Sequence, residues 1–278
     1  MKFKGFYVDK KTEKQIKFTC DYEAKFDHEH KAYEIPTEKK DIDLPNVEIS
    51  SQTDLFLEAF HDKIIGVTGT KGKSTTSSLI YHLLSNSRGN TFLAGNIGIP
   101  FFNIIDDLNE DSVIVAELSA HQLEYTETSP HIAILLNMYQ EHLDHFQSLS
   151  NYQLAKMNIT KFQNERDILI YNADDEHIPN LIKSHNYQRE FYKFSAQRQI
   201  DTGCYCDDDT IIRVHNGEVL GEYDLSHHDN LPGRHNYNNI MAAILAVKQY
   251  GLSDEDIIKH LASFNGLEHR IEFVGNFH

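Results

Sequence analysis

The sequence predicts an α/β protein in which helices flank a parallel β-sheet, with a small antiparallel β-sheet and a short N-terminal appendage. A strand, a glycine-rich loop and a helix follow one another over residues 64–84. Further apolar runs alternate with helical stretches, as the doubly buried strands of a parallel sheet do. Residues 189–225 change to short alternating segments with an Asn-Gly turn, which is typical of antiparallel hairpins.

The glycine-rich loop lies at residues 69–74 and reads GTKGKS. Glycines allow close approach of the backbone to an anion, and the amides at a helix N-terminus point towards it. Lys73 adds a positive charge, and Ser74 offers a hydroxyl to a magnesium ion. The general signature places a glycine at position 67, where this chain has Val67, so the loop is a shorter variant. The pattern predicts a parallel P-loop sheet; a strand-to-helix turn without a ligand is the alternative.

Four later apolar runs, at residues 91–98, 113–119, 132–137 and 168–172, each end in polar residues. In a parallel sheet the ligand crevice lies beyond the carboxyl ends of the strands. We therefore expect one rim of the sheet to carry the loop and the polar residues that end the strands: Gly72, Asn96, Glu117, Asn137 and Asn172. A carboxylate beside a phosphate loop indicates a site for a nucleotide and a metal ion.

The flanking segments suggest two parts. Residues 1–60 hold short alternating pieces and charge clusters, which favour an appendage, and residues 61–278 form the main domain. Residues 54–60 are predicted to form a helix that leads into this domain. Helical periodicity returns at residues 236–250 and 254–264, and Ser253 is the expected cap of the second helix.

Composition limits the function classes. The chain has 26 basic and 42 acidic residues and a formal charge of -16, so we expect no nucleic-acid partner. Its three cysteines, Cys20, Cys204 and Cys206, lack the spacing of a zinc site and are expected to be reduced thiols in a cytoplasmic protein. The start lacks an apolar signal core, and no run is long enough to predict membrane insertion.

A series of short motifs then follows the loop in a fixed order. It comprises GNIG at residues 95–98, ELSAHQLE at 117–124, EHLD at 141–144, NADD at 172–175, GRHNYNN at 233–239 and GLEHR at 266–270. Together with the loop, this series resembles the ATP-dependent Mur ligases of peptidoglycan precursor synthesis over about residues 46–278. Two positions depart from the pattern. Lys71 stands where the family usually has asparagine, and His121 stands where the branch that adds D-glutamate usually has phenylalanine.

The resemblance implies the central ATP-binding domain of a ligase, with ATP and Mg²⁺ as cofactors and a nucleotide sugar as substrate. The reaction it implies adds D-glutamate to UDP-N-acetylmuramoyl-L-alanine through an acyl phosphate. The chain ends where the resemblance expects a further domain, so we expect nucleotide binding more than turnover. Residues 1–60 are expected to be either an appendage or a remnant of the family's UDP-binding domain. A nucleotide-binding module without ligase activity, or a ligase for another amino acid, is the alternative. The context of residues 122–124 argues against folylpolyglutamate and cyanophycin-type ligases.

The resemblance also implies roles for individual residues. Catalysis is expected to involve Lys73, Glu117, His142 and Lys156. One magnesium would be held by Ser74 and Glu117 and a second by His142 and Lys156, the lysine as a carbamate. The nucleotide would contact Gly69, Thr70, Lys71, Gly72, Lys73, Ser74, Thr75, Asn236, Asn239 and Arg270. The muramoyl substrate would contact Asn96, Ser119 and Gln122.

Simpler interpretations of some of these residues remain open at this point. His142 could be a solvated loop histidine, and Lys156 could be an exposed helix lysine. Asn236 and Asn239 could simply begin a helix. The sequence does not determine the oligomeric state or the amino acid that is added.

Overall fold

The computed structural model describes the backbone of residues 2–8, 15–21, 25–27 and 32–34, and residues 51–184, 190–226, 231 and 233–266. The chain divides into two compact units, Met1–Ile49 and Ser50–His278. In the first unit, β1 (Lys2–Val8) pairs antiparallel with β2 (Gln15–Asp21), and β3 (Lys25–Asp27) with β4 (Ala32–Glu34). The alternating pattern at the start of the chain thus corresponds to hairpins.

Within the described part of the second unit, one sheet contains nine strands in the order β13-β12-β11-β10-β9-β8-β5-β7-β6. The strands are β5 (Ile64–Thr68), β6 (Thr91–Gly95), β7 (Val113–Glu117), β8 (Ile132–Leu135), β9 (Ile168–Asn172), β10 (Glu190–Ser195), β11 (Gly203–Asp207), β12 (Thr210–His215) and β13 (Glu218–Asp224). Pairing is parallel from β6 through to β11. The predicted parallel α/β sheet is confirmed.

The antiparallel part is smaller than the expected range of residues 189–225. Among the described residues 190–226, only β11, β12 and β13 pair antiparallel, and they extend the same sheet. Strand β10 pairs in parallel with both β9 and β11. Alternation of apolar and polar residues indicates a half-exposed strand but does not indicate its direction. Parallel neighbours need a crossover connection, and the helix Ile178–Ser184 between β9 and β10 provides it.

Helices cover both faces of the sheet. They are α1 (Gln52–Phe60), α2 (Lys73–Arg88), α3 (Ala120–Leu123), α4 (Leu143–Phe146), α5 (Leu149–Lys161), α6 (Ile178–Ser184), α7 (His235–Lys248) and α8 (Asp254–Ser263). One core cluster joins α2 and α7 to the sheet through Leu79, Leu83 and Ile244. A second core cluster joins α1 and α5 to the sheet through Leu57 and Met157. None of the described helices combines the length and apolar character that a membrane crossing needs.

The order of the strands explains where the site lies. From β5 the chain passes to β6 at the edge, returns to β7, and then crosses to β8 on the other side of β5. A ligand crevice forms at such a switch point, beyond the carboxyl ends of the strands. The loop between β5 and α2 occupies this position, as the sequence predicts.

Candidate active site

The loop between β5 and α2 depends on its glycines. Gly72 has a φ of 87°, which is the left-handed region that L side chains rarely adopt. A Cβ at Gly72 would also collide with the side-chain oxygen of Asn239. At Gly69, a Cβ would approach to 2.8 Å of the Leu136 Cβ. The loop is therefore packed closely on both sides, and its backbone amides begin α2.

Asn137, at the end of β8, fixes the loop through three hydrogen bonds. Its side-chain oxygen accepts from the Lys71 amide at 2.8 Å, and its side-chain nitrogen donates to the Lys71 carbonyl at 3.0 Å. Its own carbonyl accepts from the Thr70 amide at 3.0 Å. Because the amide and the carbonyl of Lys71 are both held, the loop is preorganised. Asn172 lies one strand further on and donates to the Leu136 carbonyl at 3.0 Å.

A cavity of about 290 Å³ opens beside the loop. It is lined by residues that are far apart in the chain: Thr70, Lys71, Gly72, Lys73, Ser74, Asn96 and Glu117. The sequence-based expectation that the loop, the residue after β6 and the end of β7 share one rim agrees with this arrangement. Thr75, the residue after the loop, lies on the first turn of α2.

Glu117 places a carboxylate in this cavity. The residue is only 1% exposed, and its Oε1 accepts from the Asn96 side-chain nitrogen at 2.8 Å. Among the described residues, its Oε2 is buried and has no hydrogen-bond partner. An unpaired buried carboxylate oxygen is costly unless a cation neutralises it. With the Ser74 hydroxyl in the same cavity, this donor set fits Mg²⁺, which prefers oxygen ligands.

Two lysines converge on the loop from opposite directions. Lys73 donates from Nζ to the carbonyls of Gly69 at 3.0 Å and Thr70 at 3.3 Å. Lys156, on α5, donates to the same Gly69 carbonyl at 2.9 Å. Lys156 is 1% exposed, so the alternative of an exposed helix lysine is wrong. Burial, with a contribution from the charge of Lys73, lowers the pKa of Lys156 to about 7, although Glu141 opposes the shift.

His142 precedes α4 in a left-handed conformation with a φ of 54°. Its Nε2 lies 3.9 Å from the Glu141 Oε2, and its side chain is 44% exposed. Its ring lies 5.0 Å from that of His121 and 6.2 Å from that of Tyr152. Burial, together with the nearby His145 and His142, lowers the pKa of His121 to about 4. His121 is therefore a neutral imidazole beside His142 at neutral pH.

Ser119 and Gln122 have a clear local role. The Ser119 hydroxyl accepts from the Gln122 amide at 3.2 Å, and the Gln122 side-chain oxygen accepts from the Ser119 amide at 3.0 Å. This reciprocal pair is a capping box that begins α3. Asn96 likewise orients Glu117. The structure therefore gives all three expected substrate residues contacts within the protein.

Asn236 and Asn239 lie on the first turns of α7, and both are 6% exposed. Asn239 donates to the Asn236 side chain at 2.9 Å, and its oxygen accepts from the Thr76 hydroxyl at 3.2 Å. These contacts join α7 to the loop helix. The two residues thus do begin a helix, but Asn239 also packs against Gly72. Arg270, the remaining expected nucleotide contact, lies outside the described residues.

Tyr152 and Thr76 contribute to the site but were not identified by sequence analysis. Tyr152 is buried, and its hydroxyl lies 3.0 Å from the Thr70 hydroxyl, while its ring lies 4.8 Å from the Lys156 Nζ. Its position four residues before Lys156 is the available signal, because such residues share a helix face. Thr76 shows no comparable signal, since its partner Asn239 is remote in sequence.

Comparison with known proteins gives consistent results. The UDP-N-acetylmuramoylalanine--D-glutamate ligase of Staphylococcus saprophyticus is 42% identical over 215 residues, which cover 76% of this chain and 45% of that protein. The protein of the same name from Listeria monocytogenes is 36% identical over 230 residues, covering 82% of this chain and 49% of its own length. The chain thus spans about half the length of the curated relatives it matches.

Solved structures share the fold. A UDP-N-acetylmuramoyl-L-alanyl-D-glutamate--2,6-diaminopimelate ligase superposes with a TM-score of 0.64 at 21% identity, covering 84% of this chain and 55% of that one. The MurF ligase of Thermotoga maritima, solved in complex with ADP, gives 0.55 at 24% identity, covering 82% and 56%. The Mur ligase middle domain family matches residues 67–247, which is more than half of the sequence. This chain belongs to the Mur ligase family.

Proposed function

We propose that this chain is the ATP-binding part of a ligase that adds D-glutamate to UDP-N-acetylmuramoyl-L-alanine. The observation that carries the proposal is the unpartnered Glu117 Oε2, which shares one cavity with the P-loop and the Ser74 hydroxyl. Relatives named for this reaction support the choice of amino acid. The proposed substrates are ATP, the nucleotide sugar and D-glutamate.

In this proposal the loop amides and Lys73 bind the phosphates of ATP, and Asn137 keeps the loop in shape. Ser74 and Glu117 hold Mg²⁺, which when bound neutralises charge on the phosphates. Transfer of the terminal phosphoryl group to the substrate carboxylate gives an acyl phosphate. Attack by the amine of D-glutamate forms the amide bond and expels phosphate. Positioning and charge neutralisation supply most of the catalysis in such transfers.

A second magnesium is proposed at His142 and Lys156. An ammonium cannot coordinate a metal, so Lys156 must first lose its proton. Its pKa of about 7 supports this step, because a substantial neutral fraction is present at neutral pH and a free amine can add carbon dioxide to form a carbamate. His142 would supply a nitrogen ligand, and its ring and the Lys156 Nζ both lie beside Tyr152, at 6.2 and 4.8 Å from the centre of the tyrosine ring.

The remaining assignments rest on position. Asn96, Ser119 and Gln122 are proposed to face the muramoyl substrate, and the capping box would hold the last two in place. Asn236 and Asn239 are proposed to lie near the adenine and Arg270 near the phosphates.

Calorimetric titration with ATP, in the presence and absence of Mg²⁺, tests nucleotide binding. Lys73→Ala is expected to weaken MgATP binding by at least about tenfold, because a charge-assisted contact to phosphate is lost. Lys161→Ala, an exposed lysine at the end of α5, is the matched control and should bind as the unaltered chain does. Equal affinities for Lys73→Ala and the unaltered chain would remove the phosphate-binding loop from the proposal.

Turnover is tested separately by phosphate release with UDP-N-acetylmuramoyl-L-alanine and D-glutamate. Release that requires both substrates supports the ligase. MgATP binding without any substrate-dependent release would favour a nucleotide-binding module instead. Release with a different amino acid would retain the ligase class but replace D-glutamate.

A further inference from the structure

Three ionisable residues lie together where the strands of the sheet begin, at the end opposite the ATP cavity. His61 belongs to the turn before β5, His131 immediately precedes β8, and Asp167 immediately precedes β9. The three strands are adjacent in the sheet. Backbone hydrogen bonds continue the pairing outwards, from the His131 amide to the His61 carbonyl at 3.2 Å and from the Ile168 amide to the His131 carbonyl at 2.8 Å. The side chains are thus held on a rigid frame.

One carboxylate oxygen of Asp167 contacts a ring nitrogen of each histidine. Asp167 Oδ1 lies 2.9 Å from the His61 Nε2 and 2.9 Å from the His131 Nδ1. The three atoms all lie within 4.8 Å of one another, and no other trio of His, Cys, Asp or Glu in the described part of the chain is so arranged. Asp167 is 1% exposed, whereas the rings of His61 and His131 are 23% and 28% exposed. The cluster is therefore closed towards the core and open on one side to water.

The two ring nitrogens of His61 face different oxygen atoms, and these determine which nitrogen is free to bind a cation. Its Nδ1 lies 2.6 Å from the Ser129 carbonyl oxygen, which can only accept, so Nδ1 carries a hydrogen. Its Nε2 faces a carboxylate oxygen and needs either a second proton or a cation between them. Asp62 adds negative charge, with its Oδ1 3.8 Å from the same nitrogen.

We propose that His61, His131 and Asp167 bind a divalent transition-metal ion of the zinc type, at a site separate from the ATP cavity. Two imidazole nitrogens and one carboxylate oxygen suit Zn²⁺ or Co²⁺, whereas Mg²⁺ is held mainly by oxygen ligands. The bond from His61 Nδ1 to a carbonyl is the contact that orients metal-binding histidines. Water would complete the coordination on the exposed side.

Metal binding would change the spacing of the three ligand atoms. Ligand atoms around tetrahedral zinc are spaced by roughly 3.3 Å, given bonds of about 2.0–2.1 Å. The two distances of 2.9 Å must therefore widen by about 0.4 Å each, and the two histidine nitrogens, which lie within 4.8 Å of each other, must reach the same spacing. On binding, the metal displaces the proton of His61 Nε2 to solvent. His131 moves its hydrogen from Nδ1 to Nε2, so its charge is unchanged. The bound ion would then join the starts of three neighbouring strands.

Titration of the metal-free full chain with Co²⁺ tests the site, because the visible absorption of Co²⁺ reports nitrogen ligands and low coordination number. We expect one equivalent to bind with such a spectrum and Zn²⁺ to displace it. His131→Gln is expected to weaken Co²⁺ binding by at least about tenfold, since even the loss of a contact outside the ligand set costs this much. Because the ring of His131 is partly exposed, this variant is less disruptive to folding than a change at buried Asp167.

His145→Gln is the matched control. His145 also pairs with a carboxylate, at 2.8 Å from Glu124 Oε2, but that pair has no third ligand within reach among the described residues. This variant should keep the Co²⁺ spectrum and a zinc-dependent rise in melting temperature, and His131→Gln should lose both. An unchanged spectrum in the double variant His61→Gln/His131→Gln would overturn the proposal, as would a titration of the unaltered chain that shows no bound equivalent.

Discussion

Lys73 and Lys156 donate to one acceptor, the carbonyl oxygen of Gly69, with Nζ–O distances of 3.0 and 2.9 Å. Lys156 is buried away from water, and its ammonium group is also repelled by that of Lys73. The pKa of Lys156 therefore falls to about 7, so its charge changes near neutral pH. This pair couples the phosphate-binding loop to the protonation state of Lys156 on α5.

Replacing Lys156 by methionine should change stability in a pH-dependent way. The folded-state pKa of about 7 lies below the ordinary value of 10.5, so the unfolded chain holds the extra proton between these pH values. Stability of the unaltered chain then rises with pH from about 7 to 10.5, and the full penalty of the buried charge applies below pH 7. Lys156→Met removes that penalty. Its advantage should shrink by about 2 kcal/mol between pH 7 and pH 9.

Urea unfolding at both pH values, in buffer free of carbon dioxide, measures this difference. Lys161→Met, at the exposed end of the same helix, provides the control and should show no such trend. A difference between Lys156→Met and the unaltered chain that is the same at pH 7 and pH 9 would contradict a lowered pKa.

Gly72→Ala should be far more damaging than Gly89→Ala. Both glycines have positive φ, of 87° and 69°, so each replacement carries a backbone cost of about 1–2 kcal/mol. Gly89 has open space around it, whereas an alanine at Gly72 would meet the Asn239 oxygen. We expect Gly72→Ala to lower the free energy of unfolding by at least about 1 kcal/mol more than Gly89→Ala, and to weaken ATP binding.

The double variant Gly72→Ala/Asn239→Ala separates the two causes. If the collision contributes, the effects will not be additive, and a coupling of about 0.5–3 kcal/mol is expected in equilibrium unfolding. Strict additivity would mean that only backbone strain matters at this position.

Glu117→Gln should abolish the benefit of magnesium without abolishing nucleotide binding. Glutamine keeps an oxygen that can accept the hydrogen bond from Asn96. It removes the negative charge at Oε2, the oxygen that has no hydrogen-bond partner among the described residues. Mg²⁺ should therefore improve ATP affinity in the unaltered chain at least about tenfold more than in the variant. Titrations with ATP alone and with MgATP give both ratios. Exposed Glu58→Gln is the control, and an unchanged magnesium effect in Glu117→Gln would remove this residue from the metal site.

Much of this arrangement follows from local sequence patterns. Buried β-branched runs define β5, β7, β8 and β9, and the polar residue that ends each run indicates the rim of the sheet. Ser253 was recognisable as a cap, and its hydroxyl does accept from the Asp256 amide at 3.0 Å. These features were predictable because strand direction makes the carboxyl ends of parallel strands coincide.

Long-range contacts were not predictable in the same way. The clamp of Asn137 on Lys71 and the packing of Asn239 on Gly72 join residues that are remote in the chain. The burial of Lys156 depends on how α5 lies on the sheet, which a polar helix pattern does not reveal. The direction of β10 was missed for a related reason, since it is set by the crossover through α6 and not by its own alternation.

The capping box of α3 allows the structural and substrate roles of Ser119 and Gln122 to be separated. Ser119→Ala removes the side-chain acceptor of the Gln122 amide and should lower the free energy of unfolding by about 1 kcal/mol. Gln122→Glu, in contrast, retains an oxygen for the Ser119 amide, because serine followed three residues later by glutamate is also a capping box. Stability should then remain within about 0.5 kcal/mol of the unaltered chain.

If Gln122 also contacts the nucleotide sugar, Gln122→Glu will raise the KM for that substrate while leaving MgATP affinity unchanged. Ser253→Ala, which removes the cap of α8, should cost similar stability with no effect on KM. A Gln122→Glu variant with normal stability and normal KM would restrict Gln122 to its part in the cap.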